Sequence, residues 1–233
     1  MNHQLKFKNM RTGDKVFDIV NYTLLTLIMV IVLYPVLYIV AASFSDPQAV
    51  VSGEVFILPV RPTLRGYEAV FKNKKILTGF ANSVYYLVVG TLLNLVMTML
   101  CAYPLSRKEF YGRGIFTGIV VFTMFFDAGI ISNYMVVQSA GLMNSIWAII
   151  LPGAINVWYM IIMRTFFSDI PEELFESARL DGANDLTIFV KMVLPLSKAV
   201  LATMVLFYAV GFWNQWLQPL IYLDDRKKFP MQL

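Results

Sequence analysis

The chain contains a single cysteine, Cys101, and a single histidine, His3. One thiol, set inside an apolar stretch, excludes an internal disulfide and a cysteine-built metal cluster. A histidine confined to the N-terminal tail excludes the Ser–His–Asp and Cys–His arrangements, which need an imidazole beside the nucleophile. No Gly-rich loop ending in Lys-Ser or Lys-Thr occurs, so the chain lacks a phosphate cradle of that type. Charge is scarce as well: 15% of residues are charged, against about 25% in soluble domains. These absences leave no candidate catalytic residue and no candidate metal ligand.

Apolar residues fill the space that charge leaves. They make up 58% of the 233 residues, and the mean hydropathy is +0.64. The polar surface is too small to cover a water-exposed globule, so the excess apolar surface needs lipid as its solvent. The net charge is +4, with a sequence pI of about 9.1. Lys and Arg lie between the apolar stretches and near their ends, which fits membrane topology and headgroup contact rather than nucleic acid.

Five stretches approach the roughly 20 apolar residues needed to cross a bilayer. They run over about 22–42, 84–103, 115–134, 146–163 and 199–216, the third weakening beyond Phe126. This pattern predicts an all-α polytopic membrane protein with an N-terminal tail over residues 1–21. Val40-Ala41-Ala42 resembles a leader cleavage site, but the apolar run before it is long and more than 20 residues precede that run. It therefore reads as an uncleaved helix. A cytoplasmic N-terminus puts eleven Lys and Arg inside and eight outside. The loops around Arg107-Lys108 and 127–145 support this orientation, and the first loop, with Arg61, Arg65, Lys72, Lys74 and Lys75, dissents. Residues 43–81 form an outside segment broken by Pro59, Pro62 and Gly66, with a short interfacial helix over 66–71.

The most informative segment is Phe167 to Asp185. Asp169 reads as an N-cap, Pro171 suits a first turn, and Glu172 completes a capping box. Glu172 and Glu173 favour the positive helix end. Gly182 is a natural stop because it takes positive φ cheaply. The helix has about nine residues, roughly 13 Å, too short to span a bilayer. Leu174, Phe175 and Ala178 share a face. Asn184 caps a second helix that turns Ile188, Phe189 and Met192 towards the membrane, and Leu194-Pro195 opens the fifth span. The result is an elbow at the cytoplasmic surface. It is either an amphipathic link between spans or a docking knob, with Ser177 and Ala178 small enough for close approach. Spacing alone does not separate the two.

Glu176-Ser177-Ala178, Gly182, Met192 and Leu194-Pro195 resemble the EAA motif of ABC importer permeases: Glu-Ala-Ala, three residues, Gly, nine residues, Ile, one residue, Leu-Pro. Ser177 stands in place of Ala and Met192 in place of Ile, both mild in size. Gly141 to Ala148, Leu151-Pro152-Gly153, Arg164 to Phe167, Trp213 to Trp216 and Pro219-Leu220 look like carbohydrate importers of the maltose-permease type. Ser43 to Pro47, Gly53 to Val55 and Ala102 to Arg107 fit the branch that handles oligo- or polysaccharides.

The resemblance implies a type I ABC importer transmembrane domain over 22–233, with a cytoplasmic coupling helix in a loop over 164–198. Glu172, Glu173, Glu176, Ser177, Ala178, Asp181, Gly182, Leu194 and Pro195 would couple it to an ATPase, Glu176 facing a basic group. The implied partners are an ABC ATPase dimer, a second permease subunit, an extracytoplasmic solute-binding protein, a carbohydrate substrate and the lipid bilayer of the bacterial cell membrane, without nucleic acid. No cofactor is implied on this chain; ATP and Mg belong to the partner ATPase.

Asn82, Asn94, Asn156 and Asn214 are polar groups in or near spans, which usually face protein or a wet cavity. Asn156, Trp213, Asn214 and Trp216 are candidate pathway residues, although both Trp also suit interface anchoring. Pro152-Gly153 is expected to kink the fourth span. The family usually has six spans; five are visible here, so a fragment or a truncated product is expected. Two rivals are an ion-coupled secondary transporter and a non-transporting membrane scaffold. The first expects Asp, Glu or His within spans, whereas Asp127 lies past the strongly apolar part of the third. The second remains compatible with a missing last span.

Overall fold

A computed structural model describes residues 12–126 and 128–233. His3, Lys6, Lys8, Arg11 and Asp127 lie outside the described residues. No strand occurs among those described. The chain divides into two compact units at Lys74 and Lys75.

The first unit is dominated by α1, Thr12–Ser43. Its 32 residues reach about 48 Å at 1.5 Å each, so the helix begins within the expected tail. Side chains from Val16 to Val40 are largely exposed, as suits a helix whose solvent is lipid. Beyond it, Asp46 caps the short α2, Pro47–Val51, by accepting the Gln48 N–H at 2.8 Å. Ser45 Oγ donates to Ala41 O at 2.7 Å and accepts the Val60 N–H at 3.0 Å. Ala41, Ala49 and Val55 close a small core around that turn. α3 runs over Arg65–Lys72, and its Tyr67 hydroxyl lies 3.0 Å from Ser43 Oγ.

The second unit is organised along α4, Lys74–Ser106, a 33-residue helix. Ser83, Tyr86, Gly90, Asn94, Thr98, Ala102 and Leu105 are buried, at the three- and four-residue spacing of one face. That face is small or hydrogen-bonding rather than greasy, which lets backbones approach closely without leaving polar groups in lipid. Gly90 is the tightest point: a Cβ there would lie 2.4 Å from the Phe212 ring. Nearer its start, Asn82 donates to Lys227 O and Phe229 O at 2.7 and 2.9 Å, and Tyr86 Oη donates to Lys228 O at 2.6 Å. These bonds lash residues 227–229 to α4.

The remaining spans are broken. The third expected span, 115–134, is two helices, α5 over Arg113–Phe125 and α6 over Gly129–Ser139, inclined at 118°. Gly129, at φ +78°, starts the new direction. The fourth is α7, Ile146–Ile150, a 3-10 turn over Leu151–Gly153, and α8, Val157–Ser168. It bends by 53° where Pro152 removes a backbone donor. Among the described residues two helices are long and apolar enough to cross a membrane, or up to five if each bent pair is one span. Met160, Met163, Phe167, Val193 and Met204 lie fully buried at the centre of the unit.

Gly90→Leu is expected to force Phe212 aside, an overpacking cost of about 1–3 kcal/mol. A thermal-shift measurement on detergent-solubilised protein should show a lower midpoint, and adding Phe212→Ala in the same chain should recover part of the loss.

Candidate functional site: the elbow and the cavity above it

α8 ends at Ser168, and Asp169 is its C-cap, donating its N–H to Thr165 O and Phe166 O. This corrects the expected role of Asp169 as an N-cap. The elbow helix α9, Glu172–Leu180, starts after Pro171 with no side-chain cap. Glu172 does not complete a capping box either, because its carboxylate is taken by a guanidinium from another helix. The other end follows expectation. Gly182 sits at φ +81°. Its N–H donates to Arg179 O and the Ala183 N–H to Ala178 O, both at 3.0 Å, the paired bonds of a Schellman stop. Asn184 Oδ1 then accepts the Thr187 N–H at 2.8 Å and starts α10, Asp185–Ile188.

A π turn over Phe189–Val193 carries α10 into α11, Leu194–Leu196. The chain then bends by 81° into α12, Lys198–Trp213. Leu194-Pro195 lies in the first arm of this bent pair, and α12 ends at Trp213, with Asn214 as C-cap and Trp216 outside the helix.

The guanidinium that takes Glu172 belongs to Arg107, one residue past α4. Its side chain is 10% exposed. Nη2 lies 2.5 Å from both Glu172 oxygens, and the guanidinium carbon stands 3.5 Å above the Phe175 ring. Phe175 is the buried residue of α9. A second pair joins the same two segments: Arg179 Nη1 and Nη2 reach Glu109 Oε1 and Oε2 at 2.6 and 2.5 Å, the parallel fork that suits a carboxylate. Arg179 holds the Glu109 carboxyl below its usual value, and Glu109 in turn raises the Arg179 guanidinium. Beneath these pairs Tyr103 packs on Phe189 at 4.7 Å and on Phe167 at 6.4 Å. Ser168 Oγ donates to Ser106 O at 3.3 Å.

Of the residues expected on the elbow, Glu172, Glu173, Glu176, Ser177, Asp181, Gly182 and Pro195 are exposed, and Ala178 and Leu194 are half-buried. Leu180, 89% exposed, and Leu174 add apolar surface to the same helix. Sequence reading missed Arg107 and Glu109 as elbow residues. Arg107 was legible only as a topology charge and as the last residue of a family-like stretch.

A cavity of about 290 Å³ lies between α4, α8, α12 and the turn after α7, lined by Asn94, Asn156, Tyr159, Tyr208, Gln215 and Gln218 among others. That is near the small end of ligand pockets. Asn156 Oδ1 accepts the Tyr159 N–H at 3.1 Å and starts α8. The Tyr208 hydroxyl accepts the Asn156 N–H at 3.2 Å and lies 2.6 Å from Thr98 Oγ1. Asn94 Nδ2 donates to Gly153 O at 3.0 Å, while its buried Oδ1 has no partner. Of the four candidate pathway residues, Asn156 lines the cavity. Trp213 packs edge-on against Phe80 at 6.1 Å, Asn214 Nδ2 donates to Val210 O at 2.9 Å, and Trp216 is 53% exposed.

Bent apolar helices thus surround a polar cavity, with a capped elbow on the loop between two of them. The chain belongs to the family described as "Binding-protein-dependent transport system inner membrane component", which matches residues 5–224. It is 41% identical to "Protein LplC" of Bacillus subtilis (strain 168) over 225 residues, covering 97% of this chain and 76% of that protein. It is also 41% identical to the "Polygalacturonan/rhamnogalacturonan transport system permease protein YtcP" of the same organism, over 94% of this chain and 77% of the relative. Among solved structures, a chain of a bacterial ABC transporter involved in the import of the acidic polysaccharide alginate superposes with a TM-score of 0.93 at 37% identity. That match covers 96% of this chain and 80% of the other.

The Glu109–Arg179 pair sets a pH dependence. A lowered folded-state pKa contributes stability that is fully present above the ordinary glutamate value of about 4.3 and lost as pH falls through the folded value. Amide exchange of α9, corrected for its intrinsic pH dependence, should stay flat from neutral pH down to about 4.3 and rise as pH falls from there through the folded value. Glu109→Gln should raise the exchange at neutral pH and flatten the acid transition.

Proposed function

We propose that this chain is one of two permease subunits of an ATP-driven importer for oligo- or polysaccharides. The names of its relatives support the substrate class: one 41% identical protein is called a polygalacturonan/rhamnogalacturonan permease, and the 37% identical structure belongs to an alginate importer. In this reading the N-terminus lies in the cytoplasm, an external solute-binding protein delivers the sugar, and a dimer of separate ATPases holds ATP and Mg. The elbow seats in a cleft of one ATPase. The single observation that carries the coupling role is the elbow's build. It is a short helix fixed at its far end by Gly182 and Asn184, with Glu173, Glu176, Ser177 and Asp181 left exposed.

Closing the ATPase dimer moves the elbow, and the bent spans behind it pass the motion to the cavity. Such a two-state element is biased by a ligand bound elsewhere. Asn156 faces the sugar in the cavity, while Trp213, Asn214 and Trp216 sit near one end of the route.

Glu176→Lys and Gly182→Val test the elbow in the complete transporter. Gly182→Val places a β-branched residue at positive φ. Each is expected to lower ATPase co-purification or to cut uptake per ATP hydrolysed by about tenfold. Wild-type uptake and wild-type co-purification in both variants would overturn the assignment.

A further inference from the structure

We propose that Arg107 is the positioning residue through which movement of the elbow reaches the cavity. The inference rests on the coupling role given above to α9. That helix has one buried side chain, Phe175. Arg107 stands on the Phe175 ring at 3.5 Å and grips both oxygens of Glu172, the first residue of the same helix. One guanidinium thus holds the start of α9 and its anchor together. A planar guanidinium stacked on a ring fixes orientation as well as distance, which a lysine ammonium does less well.

The second pair, Glu109 with Arg179, is more exposed: its side chains are 56% and 37% accessible, against 10% for Arg107. Water screens it, so it adds less. Behind Arg107 lies the end of α4, one continuous helix over Lys74–Ser106 with Pro104 in its last turn. Asn94, on that helix and roughly 20 Å back at 1.5 Å per residue, lines the cavity. α8 and α12, which also line the cavity, begin at breaks of 53° and 81°. α4 is the one of these three that runs through the region as a continuous helix, and Arg107 is its handle.

The test uses the assembled transporter in vesicles, with Cys101→Ser and Gln218→Cys placed in this chain. The probe is a membrane-impermeant maleimide, and the readout is its rate of reaction at the cavity residue with and without ATP plus vanadate. This needs no knowledge of the sugar. In the otherwise unaltered transporter the nucleotide should change the rate. Arg107→Ala and Phe175→Leu should abolish that change while ATPase co-purification and hydrolysis persist. Arg107→Lys should restore part of it, since the cation remains over the ring.

Phe175→Leu keeps the apolar filling, so it carries the test if Arg107→Ala does not assemble. A full nucleotide response in whichever of the two variants assembles would overturn the role of Arg107. So would loss of response in parallel with loss of ATPase association, which would make the residue part of docking. No nucleotide response in the otherwise unaltered transporter, despite hydrolysis, would overturn the coupling role of the elbow itself, and this inference with it.

Discussion

The structure turns on one desolvated cation. Arg107 is buried to 10% side-chain exposure at the end of a helix whose core-facing side is small and neutral. Taking a guanidinium out of water costs several kcal/mol unless partners replace the solvent. Two partners do so, the Glu172 carboxylate and the Phe175 ring face. The replacement is incomplete, because Nε is buried without a hydrogen bond, and Glu172 itself is half-exposed. By magnitude this contact is a poor source of net stability: an apolar pair of similar volume often does as well or better. Removing only one partner is the costly change. What the arrangement secures is placement, since α9 cannot slide along α4 without stranding a buried charge.

The rest of the second unit is arranged so that placement matters. Its spans bend at identifiable chemical features: Pro152 in the fourth, Gly129 at the start of α6, and the π turn with Pro195 and Ser197 before α12. Freed backbone groups at such breaks find side chains, as Gly153 O finds Asn94 and the Asn156 N–H finds Tyr208. The cavity is thus the product of the breaks. The same groups that satisfy interrupted helices line the polar space. α4 alone crosses this region without a break, and it is the helix to which Arg107 joins the elbow.

The elbow's C-terminal half was legible in the sequence because its determinants are local. Gly182 and Asn184 act on groups within five residues, and the spacing from Glu176 to Pro195 carries the family resemblance on its own. The start was misread because a non-local partner won. Asp169 and Glu172 satisfy a local capping pattern, yet Glu172 is held by a residue 65 positions earlier. Local patterning has no term for such a pair, and an Arg at the end of a span looks like any other topology charge. The third span was read as running on towards Tyr134 because hydropathy averages over a bend. Trp213 and Asn214 drew attention as polar or aromatic groups near a span, but packing and capping account for their contacts. Asn156 gave the cavity because a helix start inside a membrane needs a capping side chain.

The central claim is that the elbow, from α9 through α10, and the end of α4 move as one body. Electron–electron distance measurement between spin labels at Lys108 and Leu186, in an assembled transporter with Cys101→Ser, tests it most directly. Both side chains are exposed, Lys108 between Arg107 and Glu109 and Leu186 on α10. The account predicts the same distance distribution with and without ATP plus vanadate, while a label pair across the cavity shifts. A nucleotide-dependent shift between Lys108 and Leu186, beyond the spread of the labels themselves, would contradict it.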